Sequence, residues 1–198
     1  WLRILRFIYH PKTIFINHGT TFKYSFNCDY AISVNQQIAT SLVSAGFNKD
    51  RSFTLSNAVK INQKYKEKNL KSVPVIGIYG RIESAKGFDI LIKAAEILSK
   101  KSRDFILKIG GFDVSGSNYN LDYIKNISQQ CGLLDKCHFV GVVTDKEKFF
   151  EDVDILCVPS REETFGLPIL ESFLFSTLVI SSDSDGGKFL IKDGENGL

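Results

Sequence analysis

Two short stretches of this 198-residue chain concentrate residue types that can hold a charged, hydroxylated ligand. The first is Gly80-Arg-Ile-Glu-Ser-Ala-Lys-Gly87, which sets Arg81 and Lys86 in one loop leading to a helix start. Two cations beside a helix N-terminus can hold a diphosphate, because the unbonded backbone N–H groups there add positive potential of their own. Gly80 and Gly87 let the main chain approach such a ligand closely. Without them the pair would read as two solvated surface cations, as loop charges usually are. The second stretch is Pro159-Ser-Arg-Glu-Glu-Thr-Phe-Gly-Leu-Pro-Ile-Leu-Glu171, with Glu163 just ahead of a helix and Glu171 within its first two turns. An ionised carboxylate only accepts hydrogen bonds, and adjacent sugar hydroxyls offer paired donors, so a glutamate suits a ribose or a hexose. Glu171 reads equally as an ordinary charge on a helix surface. His18, at the end of the strand-like Thr13-Ile-Phe-Ile16, is a third candidate, although a lone histidine is more often structural.

These residues need elements to position them. From Val73 onward, short apolar runs alternate with helical patterns, the signature of a parallel sheet wrapped by crossover helices. Strands are expected over Val73–Tyr79, Phe105–Ile109, Cys137–Val140, Ile155–Val158 and Leu178–Ile180. Amphipathic helices are expected from Phe88 to Leu98 and from Leu121 to Cys131, a shorter one over Lys146 to Phe150, and one opening at Gly166-Leu-Pro168. In an open parallel sheet, ligands bind at the carboxyl ends of the strands, which is where both loaded loops fall. The first seventy or so residues resemble half of another domain, with strands near Thr13–Ile16, Tyr30–Val34 and Phe53–Leu55 and a helix over Gln36 to Ala45. The charge-rich run from Lys60 to Lys71 reads as an exposed linker. The division is therefore a partial domain over 1–60, a linker over 61–72 and a second domain over 73–198. The turn-rich Asp193–Leu198 end predicts that a C-terminal part is missing.

Composition narrows the class. Apolar residues make up 43% and charged residues 24%, which suits a folded, water-soluble chain. The net charge of +3 is scattered, which disfavours nucleic acid as a partner. The four cysteines form no CxxC pair and no metal-ligand spacing with the three histidines, so they read as reduced thiols in a cytoplasmic protein, with no metal and no cofactor. Trp1–Tyr9 mixes bulky apolar and basic residues; packing on a neighbouring element is the preferred reading, with peripheral membrane contact the alternative. The glycine spacing is not GxGxxG, which disfavours a nicotinamide dehydrogenase.

Glu163 and Glu171 are separated by seven residues with Phe165-Gly166 between them. This resembles the Glu-x7-Glu signature of the retaining family-4 glycosyltransferases, whose GT-B fold has two facing Rossmann-like domains. Gly80-Arg81 with Lys86-Gly87, Phe139-Val-Gly141, Asp154-Ile-Leu-Cys-Val-Pro-Ser160 and Gly194-Glu-Asn-Gly197 fall in the order that family shows. The resemblance implies transfer of a sugar from a nucleotide diphosphate donor to a glycan or lipid-linked acceptor, with no metal. It implies that Arg81 and Lys86 neutralise the diphosphate, that Glu171 binds the ribose and that Glu163 holds the donor sugar. Gly80 and the main chain of Thr164, Phe165, Gly166 and Leu167 would contact the donor, and the backbone at Val140 and Gly141 would border the base. The resemblance also makes His18 an active-site residue facing the acceptor. Ala58 stands where the family often has Gly, and Gly186-Gly-Lys-Phe-Leu190 lacks a Glu the family commonly carries there. The family's N-terminal Gly-rich loop and closing helices are absent, which implies a fragment. The rivals are a nucleotide-sugar-binding module without turnover and a GT-B epimerase or phosphorylase.

Overall fold

The computed structural model describes residues 11–60, 68, 71–114 and 116–198. The Trp1–Tyr9 segment and most of the 61–72 stretch lie outside the described residues. The chain divides into two compact units, one running to Asn57 and the other from Ala58.

The first unit holds strands β1 (Ile14–Asn17), β2 (Tyr30–Ser33) and β3 (Ser52–Thr54), with helix α1 (Gln36–Ser44) between the last two. All three strands pair in parallel in that order. Asn35 caps α1 by accepting from the Ile38 N–H at 2.7 Å, which satisfies one of the donors a helix start leaves unbonded. Ala31, Leu42 and Phe47 form its buried centre.

In the second unit, strands β4 (Val75–Ile82), β5 (Ile106–Asp113), β6 (Cys137–Gly141), β7 (Ile155–Val158) and β8 (Leu178–Ser181) form one sheet in the order β6-β5-β4-β7-β8. Every neighbouring pair is parallel. Helices α2 (Phe88–Lys100), α3 (Leu121–Gln130), α4 (Lys146–Asp152), α5 (Leu167–Leu174) and α6 (Asp185–Leu190) complete it. The chain winds from β4 to β6 in one direction and then continues from β7 to β8 in the other. The reversal leaves a crevice at the carboxyl ends of β4 and β7. Side chains alternate across β4, so Ile76, Ile78 and Ile82 enter the core beneath α2 and α3, whereas Val75 and Tyr79 face Phe149 and Phe150 of α4 on the other side. This alternation decides which helices Tyr79 can meet.

Three local findings differ from the sequence expectations. Strand β4 continues past Tyr79 through Ile82, because Gly80, Arg81 and Ile82 keep parallel register with Gly111, Phe112 and Asp113. Arg81 is therefore a strand residue, and only Glu83 to Gly87 forms the turn. Helix α6 is unforeseen, since two glycines at its start weaken helix propensity. Packing requires them: a Cβ at Gly186 would strike the Phe165 backbone, and one at Gly187 would strike the Ser182 carbonyl. Within the polar run before β4, Lys68 is no free tether; its ammonium donates to the carbonyls of Phe150 and Val153 and, at 3.0 Å, to Thr177 Oγ1. No helix among the described residues is long and apolar enough to cross a membrane.

Candidate active site

The site is built on the β4–α2 turn and the β7–α5 loop, which the reversal of winding places side by side. After β4, the chain makes a tight helical turn over Ser84–Lys86 and leaves it at Gly87 with φ of 69°. Glycine is required there twice over, by the positive φ and because a Cβ would overlap the Pro159 carbonyl of the neighbouring loop. The two loops are thus in backbone contact.

Arg161 fastens them further. Its backbone N–H donates to the Ala85 carbonyl at 2.8 Å, and its Nη1 donates to the Ser84 carbonyl at 2.7 Å. The same guanidinium grips Asp89 of α2 with both nitrogens, at 2.9 and 2.7 Å. Asp89 is buried and also accepts from the Tyr119 hydroxyl at 2.6 Å. The Arg161 fork and that hydroxyl hold the Asp89 carboxyl down at about 2. Burial and the adjacent Asp89 carboxylate push the Tyr119 hydroxyl well above the usual phenol range.

This fastening brings Lys86 to Glu163, whose Oε2 accepts from Nζ at 2.6 Å. Glu163 Oε1 accepts from the Gly166 N–H at 3.2 Å, and its main-chain carbonyl accepts from Gly186 N–H at 2.6 Å. Gly166 has φ of 91° and opens α5, with Pro168 in the first turn. Phe165 is buried, its ring 5.7 Å from that of Phe189, and Leu167 is exposed. Thr164 lies between Glu163 and Phe165 in the loop. Arg81 does not share a partner with Lys86: it is 57% exposed and pairs with Glu83 at 2.8 Å. Gly80 precedes it with φ of 152°, beside Gly111 on β5.

Glu171, one turn further along α5, meets a different set of groups. The Tyr79 hydroxyl donates to its Oε2, and Lys146 Nζ stands 3.5 Å from the same oxygen. Lys146 also lies over the Tyr79 ring, 3.7 Å from its centroid. Burial pushes the Glu171 carboxyl up to about 7 and the Lys146 ammonium down to about 8. At the end of β6, Val140 and Gly141 are exposed, and Gly110 on β5 is kept bare by Val143. In the first unit, His18 follows β1 directly and is exposed. Behind it, Asn17 is buried and accepts from Ser25 Oγ at 2.6 Å.

Among the described residues, no group of His, Cys, Asp or Glu is arranged to hold a metal ion. Tyr79, Lys146, Asp89, Tyr119 and Arg161 were not identified as site residues from sequence. Arg161 lies inside the stretch that carries Glu163, which was a usable signal. Nothing in the local pattern marks Tyr79 or Lys146, whose roles arise from β4 alternation and from the entry of α4.

Residues 59–198 match the family described as Glycosyl transferases group 1. The chain belongs to that family. It is 28% identical over 172 residues to an uncharacterized glycosyltransferase of Haemophilus influenzae, covering 86% of this chain and 47% of that protein. It is 26% identical over 188 residues to the lipopolysaccharide core biosynthesis glycosyltransferase LpsE of Rhizobium meliloti, covering 92% and 52%. The chain thus spans about half the length of these curated relatives. Among solved structures, Anabaena HepE in complex with UDP and glucose superposes with a TM-score of 0.86 at 20% identity, covering 98% of this chain and 59% of that one. Sucrose-phosphate synthase from Thermosynechococcus elongatus superposes at 0.82 with 21% identity, covering 99% and 56%. These likenesses establish the GT-B type α/β fold for this group 1 chain.

Proposed function

We infer that the protein transfers a sugar from a nucleoside diphosphate donor to a glycan or lipid-linked acceptor, with retention of anomeric configuration. The observation that carries this reading is the Lys86–Glu163 pair, set in the crevice at the switch of winding in a group 1 chain. The pair is mutually neutralised at 2.6 Å. A donor diphosphate entering the crevice offers Lys86 a stronger anionic partner, and the exchange frees the Glu163 carboxylate to accept from hydroxyls of the donor sugar. Arg81, exposed at the end of β4, adds a second cation for the diphosphate. Charge grows on the leaving diphosphate as the glycosidic bond breaks, so fixed cations stabilise the transition state without a metal ion. Glu171 takes the ribose hydroxyls. The main chain from Thr164 to Leu167 and at Gly80 lines the donor, and Val140 and Gly141 border the base. His18 serves the acceptor side from the first unit.

The lipopolysaccharide core names carried by LpsE and by LpcC of Rhizobium leguminosarum support an acceptor of polysaccharide or lipid-linked type. We place the protein in the cytoplasm, peripheral to the membrane face where such acceptors are assembled. The test is a screen of nucleotide sugars by thermal shift, since a ligand that binds the folded state raises the melting temperature. The donors that bind are then assayed for transfer, reading product anomers by NMR. A retained anomer supports the reading. Binding with no product from any acceptor makes the protein a nucleotide-sugar-binding module, and an inverted anomer overturns the retaining assignment.

A further inference from the structure

Glu171 is the one site carboxylate whose recorded partners are an aromatic hydroxyl and a lysine from a third element. Tyr79 comes from β4, Lys146 from the first turn of α4 and Glu171 from α5, and all three side chains converge on the face of the sheet opposite α2 and α3. Tyr79 and Lys146 both approach Oε2. Among the described residues no hydrogen bond reaches Oε1. The other charged pair of the crevice, Lys86 with Glu163, neutralises itself. Among the described residues, the cation that forms an ion pair with Glu171 is Lys146, at 3.5 Å.

We propose that Lys146 is a positioning residue for nucleotide recognition: its ammonium, seated over the Tyr79 ring, opposes protonation of the Glu171 carboxylate and holds it turned so that Oε1 can accept from a ribose. This rests on the reading of Glu171 as the ribose acceptor. An ionised carboxylate offers ribose hydroxyls acceptors only, whereas a proton on either oxygen turns that oxygen into a donor. Burial favours the protonated form, and an ammonium 3.5 Å away opposes it. The Tyr79 ring fixes the ammonium through its negative face, which compensates for part of the hydration lost on burial. The Tyr79 hydroxyl occupies Oε2 and so sets the carboxylate rotamer. Each of the three groups fixes the other two.

The experiment follows Glu171 directly. In the chain labelled with ¹³C at the glutamate carboxyls, with the Glu171 signal assigned through E171Q, the titration midpoint is compared with that of K146M, K146Q and K146R. Loss of the ammonium is expected to raise the midpoint by about one pH unit, and K146R to restore it. UDP affinity, measured by calorimetry on either side of neutral pH, is expected to fall about fivefold in K146M at neutral pH and to recover as the pH is raised. An unmoved midpoint overturns the proposal. A pH-independent loss of UDP affinity with an unmoved midpoint makes Lys146 a direct ligand contact instead and also overturns it. A midpoint that rises without any change in UDP affinity, together with wild-type UDP binding by E171A, locates the failure in the ribose reading. Thermal melting identifies any variant that does not fold, and K146Q replaces K146M where that one fails.

Discussion

The Arg161 guanidinium holds the Asp89 carboxylate with two nitrogens, at 2.9 and 2.7 Å, and so ties the loop bearing Glu163 to the helix that follows Lys86. A planar fork of this kind cannot be reproduced by lysine. R161K is expected to lower kcat and donor-sugar discrimination more than UDP affinity, because it loosens the Lys86–Glu163 spacing without touching Glu171. Hydrogen bonds to charged groups contribute about 1.5–3 kcal/mol, and the 42% exposure of Arg161 places this loss at the lower end. Steady-state kinetics and chemical denaturation of the variant check both parts.

Asp89 sets an acid limit on stability. Its folded-state pKa lies at about 2, below the ordinary 3.8, so its contribution is present above 3.8 and is lost as pH falls through about 2. D89N should flatten that part of the stability curve and lower the plateau above it. Urea denaturation across acidic pH measures the change, and a D89N curve with the wild-type slope there would remove Asp89 from the account.

Glu171 gives the opposite sign. Its carboxyl is raised from 4.5 to about 7, so the protein is favoured with Glu171 protonated and loses that stability as pH rises through about 7. Ribose binding needs the ionised form, and UDP affinity should therefore weaken as pH drops below about 7. E171A should bind UDP more weakly and without this pH dependence, which isothermal titration at several pH values would detect.

Arg81 and Lys86 should act on one diphosphate although they have separate partners in the free protein. K86Q and R81Q are each expected to lower kcat, K86Q by about a hundredfold, with little change in melting temperature. Their effects should depart from additivity, as they do for groups that share a ligand. Full activity in K86Q, or strict additivity in the double variant, would return both to the status of surface cations.

G87A tests the contact between the two loops. Its φ of 69° and the Pro159 carbonyl leave no room for a methyl group, so the variant should lose about 1–3 kcal/mol of stability and most donor binding together. Thermal melting with and without UDP-glucose reads both.

Much of this architecture was written in local sequence. The buried parallel strands announced themselves as short apolar runs, and β7 at Ile155–Val158 has the bounds its pattern predicted. The helices over Phe88–Lys100 and Leu121–Gln130 followed from 3.6-residue periodicity, and the paired spacing of Glu163 and Glu171 pointed to the family. These are properties of neighbouring residues, which the sequence carries explicitly. The extension of β4 through Arg81 was not legible, because only the ladder with Gly111 and Phe112 draws those residues into the sheet. Helix α6 was hidden by Gly186 and Gly187, whose smallness serves contacts with Phe165 and Ser182 rather than helix propensity. The partners of the two glutamates belong to the tertiary structure as well. Lys86 reaches Glu163 across 77 positions and Tyr79 reaches Glu171 across 92, and no periodicity encodes such separations. The sequence by itself therefore determined which chemical groups the crevice carries. Strand order, and the side of the sheet to which each residue turns, decided which of those groups meet.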